Sequence, residues 1–318
     1  MNPSVSIIIP LYNKEIWIER TLASVSNQTF NDWEAIIIDD GSTDQSVTVV
    51  ERFIEKNPGN WILLKNSNSG QSRARNSGIA LAKGEFIAFL DADDIWSKNK
   101  LLDQVAILKS DKNISLVVSP YIIFSDVHKE KNHRLVMHKN TKKTLVRWLQ
   151  MRGYGAGTES TGMTRTDLLR RIGGFDENFS TSAGLNLTIK LANLGTVEFS
   201  KNSLMAYRIH TGQWHSNTEV LSRDMTNLRA SAIQIMGKEP KRLEFWHGAY
   251  IALAKARQGG ELIKPVISGN NSYKEVLFLV FLIKDILFRN FTSRIRGRFA
   301  HRICKFSNRD YKEFTSSF

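Results

Sequence analysis

The sequence predicts a doubly wound α/β fold, in which a mostly parallel sheet carries helices on both faces, followed by a helical extension at the C-terminus. Two observations support this prediction. Short apolar runs that hardly alternate with polar residues recur through the first 125 residues, and segments with helical spacing of apolar residues separate them. Strands without alternation are buried on both faces, which is typical of a parallel sheet covered by helices.

The predicted elements follow one another in β–α order. The predicted strands are residues 5–10, 33–40, 61–64, 84–90 and 115–124, and the predicted helices are residues 16–28, 45–55, 71–83 and 98–109. Asp44 and Asp94 are predicted to cap the second and fourth of these helices, because aspartate favours helix N-termini. Two short strands, residues 197–200 and 204–209, are predicted to close the domain.

The predicted fourth strand runs directly into three carboxylates, Asp91, Asp93 and Asp94. Carboxylates crowded at a strand end repel each other and resist desolvation, so a hard divalent cation between them would stabilise the arrangement. Open α/β sheets bind their ligands at the carboxyl ends of the strands. We therefore predict a metal site at Asp91 and Asp93, on the same rim as Asp39 and Asp40 at the end of the second strand.

Glycine-rich phosphate loops are missing from the sequence. No G-x-G-x-x-G follows the first strand and no G-x-x-x-x-G-K-[ST] occurs, so neither a dinucleotide cofactor nor a Walker-type nucleotidase is expected. A nucleotide diphosphate on the acidic rim would need a metal ion instead. The turn at Gly70 opens a helix that carries Arg75. This arginine could bind phosphate or form a structural ion pair with Asp91 or Asp93, and the sequence leaves both open.

Four segments resemble the successive motifs of glycosyltransferase family 2, in the order and at the spacing of that family. They are residues 6–13, 37–44, 74–78 and 89–94. The resemblance implies a GT-A fold, a nucleotide-diphosphate sugar as the donor, and inversion at the anomeric carbon. It also implies that Pro10, Tyr12 and Asp40 line the nucleoside pocket. Asn68 and Arg75, before the fourth strand, are further candidates for binding the nucleotide sugar.

The resemblance implies a metal site as well. Asp91 would lie near the ribose, and Asp93 would hold Mg or Mn on the diphosphate. Residues 207–216 resemble the Tyr-Arg-x-His segment that ends the family's catalytic region. His210 could there contact the diphosphate or the metal, although a structural role is an equal alternative.

The resemblance fails where the family carries its general base. The family normally has an acidic pair before an amphipathic helix, and Ala183 and Gly184 stand there in this chain. Three interpretations remain open. A nearby carboxylate, Asp176, Glu177 or Glu159, substitutes for the pair; the base has been removed; or the protein binds sugar nucleotides without efficient transfer. Of these carboxylates, Asp176 and Glu177 are the predicted catalytic candidates.

The net charge of +13 is unevenly distributed, since the basic excess lies behind the acidic first hundred residues. We predict a catalytic domain over residues 1–216, with a nucleotide-sugar half (1–110) and an acceptor half (111–216). A basic helical region over residues 217–318 follows. Within it, an apolar run and a basic, apolar-studded segment predict peripheral membrane contact through residues 276–305, because anionic lipid headgroups attract such segments. A helix packed on the catalytic domain, with a solvated basic face, is the alternative.

The remaining features concern location and partners. No apolar run approaches the roughly 20 residues that span a bilayer, and no secretory signal is evident. With a single cysteine, Cys304, a cytoplasmic protein at the inner face of the cytoplasmic membrane is expected. Nucleic acid is not an expected partner, because no RNP, zinc-finger or helix-turn-helix signature occurs.

Together these patterns predict a metal-dependent glycosyltransferase. It would move a sugar from a nucleotide-diphosphate donor, expected to be UDP-linked, to a hydroxyl group of a surface glycan or a lipid-linked acceptor. The alternative is a catalytically impaired sugar-nucleotide-binding protein, because Ala183 and Gly184 replace the expected acidic pair.

Overall fold

The computed structural model describes residues 2–125, 134–136, 159–180, 182–201, 204–210 and 218–236. The strands in these ranges are β1 Val5–Leu11, β2 Trp33–Asp39, β3 Trp61–Lys65, β4 Phe86–Phe89, β5 Ile95–Trp96, β6 Ile114–Val118, β7 Tyr121–Ser125, β8 Arg134–Val136, β9 Gly162–Arg165, β10 Thr196–Phe199 and β11 Met205–Ile209. The helices are α1 Ile18–Ser26, α2 Ser46–Lys56, α3 Gln71–Leu81, α4 Lys100–Ser110, α5 Thr166–Arg171, α6 Ala183–Leu194 and α7 Thr218–Met236, and Glu159–Thr161 forms a short 3-10 turn.

The larger sheet contains seven strands in the order β10-β6-β9-β4-β1-β2-β3. Strand β9 is antiparallel to both of its neighbours, and the other pairs are parallel. A smaller sheet of four strands has the order β5-β11-β7-β8. The prediction of a mostly parallel sheet is confirmed. The antiparallel strand β9 was not foreseen.

Both faces of the large sheet are covered by helices. Alternate residues of β1 point to opposite sides, so that Ile7 and Ile9 pack in one core with Leu22 of α1. Ile8 packs in the other core with Ile79 of α3. Because each face of β1 meets a helix, both sets of side chains are apolar apart from Ser6, and the strand is a nearly continuous apolar run.

Helix α3 lies unusually close to the sheet at Gly78. A Cβ on this residue would come within 2.6 Å of Ile8 Cγ2 and 2.9 Å of Ile38 Cδ1. Only glycine permits this approach without movement of the two isoleucines. The close contact brings Arg75, one turn earlier on α3, against the end of the sheet.

The predicted strand over residues 115–124 is wrong in one respect, because the structure divides it. Strand β6 ends at Val118 in the large sheet, and β7 begins at Tyr121 in the small one. Pro120 lies between them. Proline has no amide hydrogen to donate to a ladder, so it marks the point where the chain leaves one sheet for the other.

The predicted cap at Asp94 is also wrong. Helix α4 begins at Lys100 with Asn99 at its N-terminal cap position, and Asp94 is fully buried. The carboxylate of Asp94 is drawn inward because Ser160 Oγ and the amide of Arg208 donate hydrogen bonds to it. Asp44, predicted to cap the second helix, does contact its N-terminus: it accepts a 2.9 Å hydrogen bond from the amide of Ser46, the first residue of α2.

Helix α7 packs on the same side of the sheet as α6. Its residues Leu228 and Ala232 are buried in the core that also contains Ile8 and Ile79. In the part of the chain that the structure describes, no helix is both long and apolar enough to cross a bilayer. Residues 276–305, for which membrane contact is predicted, lie outside the described residues. The proposed domain boundary at residue 216 stays a prediction.

Candidate active site

The carboxyl ends of β1, β2 and β4 lie side by side at one rim of the large sheet, because these strands are parallel neighbours. The rim therefore holds Asp40, after β2, together with Asp91 and Asp93, after β4. Two other parts of the chain reach it: the turn Glu159–Thr161 and His210, at the end of β11. This rim is the candidate active site.

Asp93, Lys14 and His210 form one cluster on the rim. Lys14 Nζ donates a 2.7 Å hydrogen bond to Asp93 Oδ2, and His210 Nε2 lies 3.0 Å from the same oxygen. Lys14 Nζ is also 3.3 Å from His210 Nε2. The ring of Trp17 stacks on that of His210 with 4.1 Å between centroids, which holds the imidazole in place.

The charge on Asp93 is stabilised by these neighbours. Burial alone would raise the pKa of Asp93, but the hydrogen bond from His210 and the ammonium of Lys14 outweigh it and hold that pKa below its usual range. A carboxylate that accepts such hydrogen bonds stays ionised at neutral pH. Asp93 therefore presents a fixed negative charge at the rim.

The donor set fits a divalent cation that is shared with a substrate. Within the described ranges, no cluster of three or more His, Cys, Asp or Glu side chains is arranged to hold a metal ion. Asp93 nevertheless offers a carboxylate oxygen at a point where the ammonium of Lys14 stands in as the cation, and His210 would add an imidazole nitrogen in the tautomer that carries no proton on Nε2. Carboxylates suit Mg and Mn, and Mg usually takes one or two protein carboxylates, with substrate phosphates and waters completing its coordination.

Asp91 forms an ion pair with Arg75 instead of turning toward Asp93. Arg75 Nη2 lies 2.6 Å from Asp91 Oδ1, and Arg75 Nη1 lies 3.6 Å from Glu159 Oε1. The guanidinium is almost fully buried and lies over the ring of Phe175. Of the two roles that the sequence left open for Arg75, the structure forms the ion pair.

Arg75 does not fully offset the burial of Asp91. Burial, with the nearby negative charges of Glu159 and Asp93, raises the pKa of Asp91 to about 6, although the ion pair with Arg75 acts in the opposite direction. Arg75 and Lys14 thus face three carboxylates at this part of the rim, those of Asp91, Glu159 and Asp93. An excess of negative charge at a rim of this kind favours the approach of a cation.

Asp94 joins three elements beneath the rim. Ser160 Oγ donates a 2.6 Å hydrogen bond to Asp94 Oδ2 and accepts one of 3.0 Å from the amide of Asp91. The amide of Arg208 donates to Asp94 Oδ1 at 3.2 Å. Burial, and then the charges of Asp93 and Asp91, raise the pKa of Asp94 well above its usual range. Asp94 is therefore a structural group that ties β11 and the turn Glu159–Thr161 to the end of β4.

The predicted nucleoside-binding residues lie around the β1 and β2 ends of the rim. Asp40 accepts hydrogen bonds of 2.8 Å from the amides of both Ser69 and Gly70, which fixes the turn that opens α3. Asn68, in that turn, is exposed. Pro10 lies in β1, and Tyr12 directly follows the strand with 38% of its surface exposed. Roles in nucleoside binding stay predictions.

The two predicted base candidates, Asp176 and Glu177, have local partners. Asp176 Oδ1 accepts hydrogen bonds from the amide and the side chain of Asn178. Glu177 accepts hydrogen bonds of 3.0 and 2.9 Å from Nε and Nη2 of Arg73. The hydrogen bonds from Arg73 and Asn76 lower the pKa of Glu177, which weakens it as a base. A catalytic role for either residue stays a prediction.

Sequence reasoning missed Lys14 and gave Glu159 only as one of several nearby carboxylates. Lys14 follows directly after the motif at the end of β1, so its position beside the rim could have been noticed. The position of Glu159 could not, because contacts between distant parts of the chain bring it close to Asp91. These are the hydrogen bonds of Ser160 and the ion pairs that Arg75 forms with both carboxylates.

A separate cleft of about 300 Å³ lies at the opposite edge of the sheet, around Trp33, Gly59 and Trp61. Trp33 and Trp61 begin strands β2 and β3. The cleft is therefore at the amino ends of these strands, away from the acidic rim, and the candidate active site does not include it.

The fold and the rim together define a GT-A type glycosyltransferase domain. The family model for "Glycosyl transferase family 2" matches residues 6–172, which is more than half of the chain. The chain belongs to this family. The matched range contains the four motifs, Asp91, Asp93 and Glu159, and it ends before α6 and β11.

One similar curated protein is the Escherichia coli UDP-Glc:alpha-D-GlcNAc-diphosphoundecaprenol beta-1,3-glucosyltransferase WfgD. It is 38% identical over 122 residues, which cover 38% of this chain and 47% of WfgD. Another is the putative teichuronic acid biosynthesis glycosyltransferase TuaG of Bacillus subtilis, 40% identical over 103 residues that cover 32% of this chain and 41% of TuaG. The chain thus matches less than half the length of these two relatives.

A similar solved structure is S. aureus TarS in complex with UDP-GlcNAc. It has a TM-score of 0.61 and 20% sequence identity, and the alignment covers 91% of this chain and 81% of TarS. At this identity the likeness concerns the fold alone. It extends the fold assignment beyond the range of the family model.

Proposed function

We propose that this protein transfers a sugar from a UDP-sugar to a hydroxyl group of a surface glycan or a lipid-linked acceptor. The observation that carries the proposal is the convergence of Asp93, His210 and Lys14 at the carboxyl rim of a family 2 glycosyltransferase. The names of the relatives support the substrate class. WfgD is named for a UDP-glucose donor and a diphosphoundecaprenol-linked acceptor, and TuaG for teichuronic acid biosynthesis.

The donor would lie along the rim with its nucleoside over β1 and β2 and its diphosphate near β4. Pro10, Tyr12, Asp40 and Asn68 would contact the nucleoside. Asp91 would lie near the ribose, and its 2.6 Å ion pair with Arg75 would fix its orientation there. The position of the donor at this rim is supported by the general rule that open α/β sheets bind ligands at the carboxyl ends of their strands.

The departing diphosphate would be stabilised by positive charge at the Asp93 cluster. Groups that face the position where charge develops lower the barrier, because they need no reorganisation during the reaction. Lys14 supplies one such charge from within the chain. Asp93 and His210 would hold Mg or Mn, which when bound would neutralise charge on the diphosphate. Lys14 would then contact a phosphate oxygen instead of Asp93.

A transfer assay tests this proposal. Full-length protein is incubated with Mn or Mg, a panel of UDP-sugars and lipid-linked acceptors, and both transfer and release of UDP are measured. Asp93→Ala should lower transfer at least 100-fold, and His210→Ala should lower it in the same direction. Glu51→Gln, on the outer face of α2 where Glu51 pairs only with the exposed Lys65 in the described structure, is the control and should be as active as wild type.

Three results would count against the proposal or a part of it. Undiminished transfer by Asp93→Ala would remove Asp93 from its role. Metal-dependent binding of UDP without transfer from any donor would favour the alternative of a sugar-nucleotide-binding protein. A GDP-sugar that is used in preference to every UDP-sugar would keep the reaction and change the nucleotide.

We also propose that residues 276–305 bring the enzyme to the membrane that carries its acceptor. The support is the sequence of this segment, in which an apolar run precedes closely spaced arginines. Full-length protein should sediment with vesicles that contain phosphatidylglycerol and not with pure phosphatidylcholine vesicles. A triple variant, Arg294→Gln, Arg296→Gln and Arg298→Gln, should sediment less. Equal sedimentation of variant and wild type would contradict an electrostatic contact.

A further inference from the structure

The carboxylate of Glu159 occupies the space that a side chain on residue 184 would need. A Cβ added to Gly184 would lie 2.5 Å from Glu159 Cδ and 2.8 Å from Glu159 Cγ. Carbon atoms in contact are normally about 3.5–4.0 Å apart, so a side chain on residue 184 would displace the Glu159 carboxylate from this position. The glycine on α6 and the glutamate on the turn Glu159–Thr161 are therefore complementary.

Glu159 is held at the rim by its two neighbours in the turn. Ser160 binds both the amide of Asp91 and the carboxylate of Asp94. The carbonyl of Thr161 accepts hydrogen bonds of 2.8 Å from Gln104 Nε2 and of 3.0 Å from the amide of Ser119. These contacts fix the backbone on which Glu159 stands relative to the end of β4.

Among the carboxylates at and beneath the rim near β4, Glu159 has the weakest interactions with neighbouring groups. Asp91 is bound by Arg75 at 2.6 Å, Asp93 is bound by Lys14 at 2.7 Å, and Asp94 is fully buried. In the described part of the chain, the carboxylate of Glu159 makes a single ion pair, with Arg75 at 3.6 Å. The side chain of Glu159 is 21% exposed to solvent. It can therefore be reached from solvent and can accept a proton without breaking a short hydrogen bond.

We propose that Glu159 is the general base of the transfer reaction. The inference rests on the transferase function proposed above. Glu159 takes the proton of the acceptor hydroxyl while the acceptor oxygen forms its bond to the anomeric carbon. The bond between that carbon and the β-phosphate oxygen breaks, and its electron pair leaves with UDP. The proton on Glu159 then passes to water, which restores the carboxylate.

Four variants test the assignment with kcat, KM for both substrates, and affinity for UDP as measurements. Glu159→Gln should lower kcat by about 100- to 10,000-fold with KM and UDP affinity within threefold of wild type. Glu159→Ala should do the same. The double variant Glu159→Ala with Gly184→Asp returns a carboxylate to the same space from α6, and should recover at least tenfold in kcat over Glu159→Ala. Glu85→Gln is the control, because Glu85 precedes β4 at the end of the strand opposite the rim, and it should leave kcat unchanged.

The possible outcomes separate the base assignment from the function on which it rests. An active wild type with an equally active Glu159→Gln would overturn the base assignment alone and return attention to Asp176 and Glu177. A loss of UDP affinity in parallel with kcat, without recovery in the double variant, would show a structural role and overturn it too. A wild type that transfers sugar from no donor would overturn both the function and the base.

Discussion

Lys14 and Asp93, 79 positions apart in the sequence, meet in a 2.7 Å ion pair at the rim of the sheet. Lys14 follows β1 and Asp93 follows the neighbouring strand β4, so the parallel pairing of the two strands brings them together. The pair puts an ammonium group beside the carboxylate that is proposed to bind metal. Lys14 can thus neutralise Asp93 when no donor is bound.

The first prediction concerns the dependence of stability on pH. Lys14→Met should raise the pKa of Asp93, because the ammonium that stabilises the carboxylate is lost. A lowered folded-state pKa contributes stability that is present above the unfolded value and is lost as the pH falls through the lowered value. The variant should therefore be about 1 kcal/mol less stable than wild type at neutral pH, and the difference should shrink in acid. Urea unfolding at several pH values measures both.

The control for this prediction is Lys65→Met. Lys65 also forms a 2.7 Å ion pair, with Glu51, but both side chains are more than half exposed. Exposed pairs contribute roughly 0–1 kcal/mol, so this variant should unfold almost as wild type does at every pH. Parallel stability curves for Lys14→Met and wild type would show that Lys14 does not stabilise the charge on Asp93.

The second prediction compares two arginines on α3. Arg75→Met should cost about 3–5 kcal/mol, because it leaves Asp91 and Glu159 near each other without their shared buried cation. The pKa of Asp91, already about 6, should rise further, so the folded state binds protons more tightly than the unfolded state. Stability should then fall as the pH rises above the ordinary aspartate pKa of 3.8, and should go on falling past about pH 6, where the contribution of Asp91 in wild type levels off. Denaturant unfolding across this range provides the measurement.

Arg73→Met is the matched control, because Arg73 is exposed and pairs with Glu177 on the outside of α3. It should cost less than about 1 kcal/mol. Equal losses in the two arginine variants would mean that burial does not distinguish them.

The third prediction tests the junction beneath the rim. Ser160→Ala removes the hydroxyl that donates to Asp94 and accepts from the amide of Asp91. An unsatisfied buried group costs about 1–3 kcal/mol, and this loss should appear as a lower midpoint of unfolding. Ser110→Ala, at the exposed end of α4, should have little effect. A Ser160→Ala protein as stable as the Ser110→Ala protein would contradict the role given to this hydroxyl.

The fourth prediction concerns the contact of α3 with the sheet. Gly78→Ala would press on Ile8 and Ile38, at an overpacking cost of about 1–3 kcal/mol. The better helix propensity of alanine offsets about 1 kcal/mol of this, so the net effect should be a modest loss of stability. Because the added methyl also moves α3, the affinity for UDP should fall as well. Ser77→Ala is the neighbouring control, and calorimetry measures both quantities.

The sequence predicted the centre of the large sheet well because the central strands are buried on both faces. β1, β2 and β4 read as apolar runs for that reason, and each is followed by polar residues at the rim. The rim position of Asp40, Asp91 and Asp93 follows directly from parallel pairing. These features depend on local pattern and on one general rule of sheet topology.

Other features depend on contacts between distant parts of the chain and left no local pattern. The directions in which three nearly consecutive carboxylates point are one example. Asp91 forms an ion pair with Arg75, Asp93 forms one with Lys14, and Asp94 accepts a hydrogen bond from Ser160. Nothing in the order of these residues states which turns inward, and Asp94 was wrongly predicted to cap a helix. The complementarity of Glu159 and Gly184 likewise appears only when α6 is packed.

The junction at Asp94 has a consequence for protein engineering. Asp94 connects the half of the domain that is predicted to recognise the nucleotide with two later segments, through Ser160 and the amide of Arg208. A chimera that exchanges the later half between related enzymes would have to keep this serine and the register of β11. Recombination points placed between residues 95 and 159 would otherwise leave a buried aspartate without its partners.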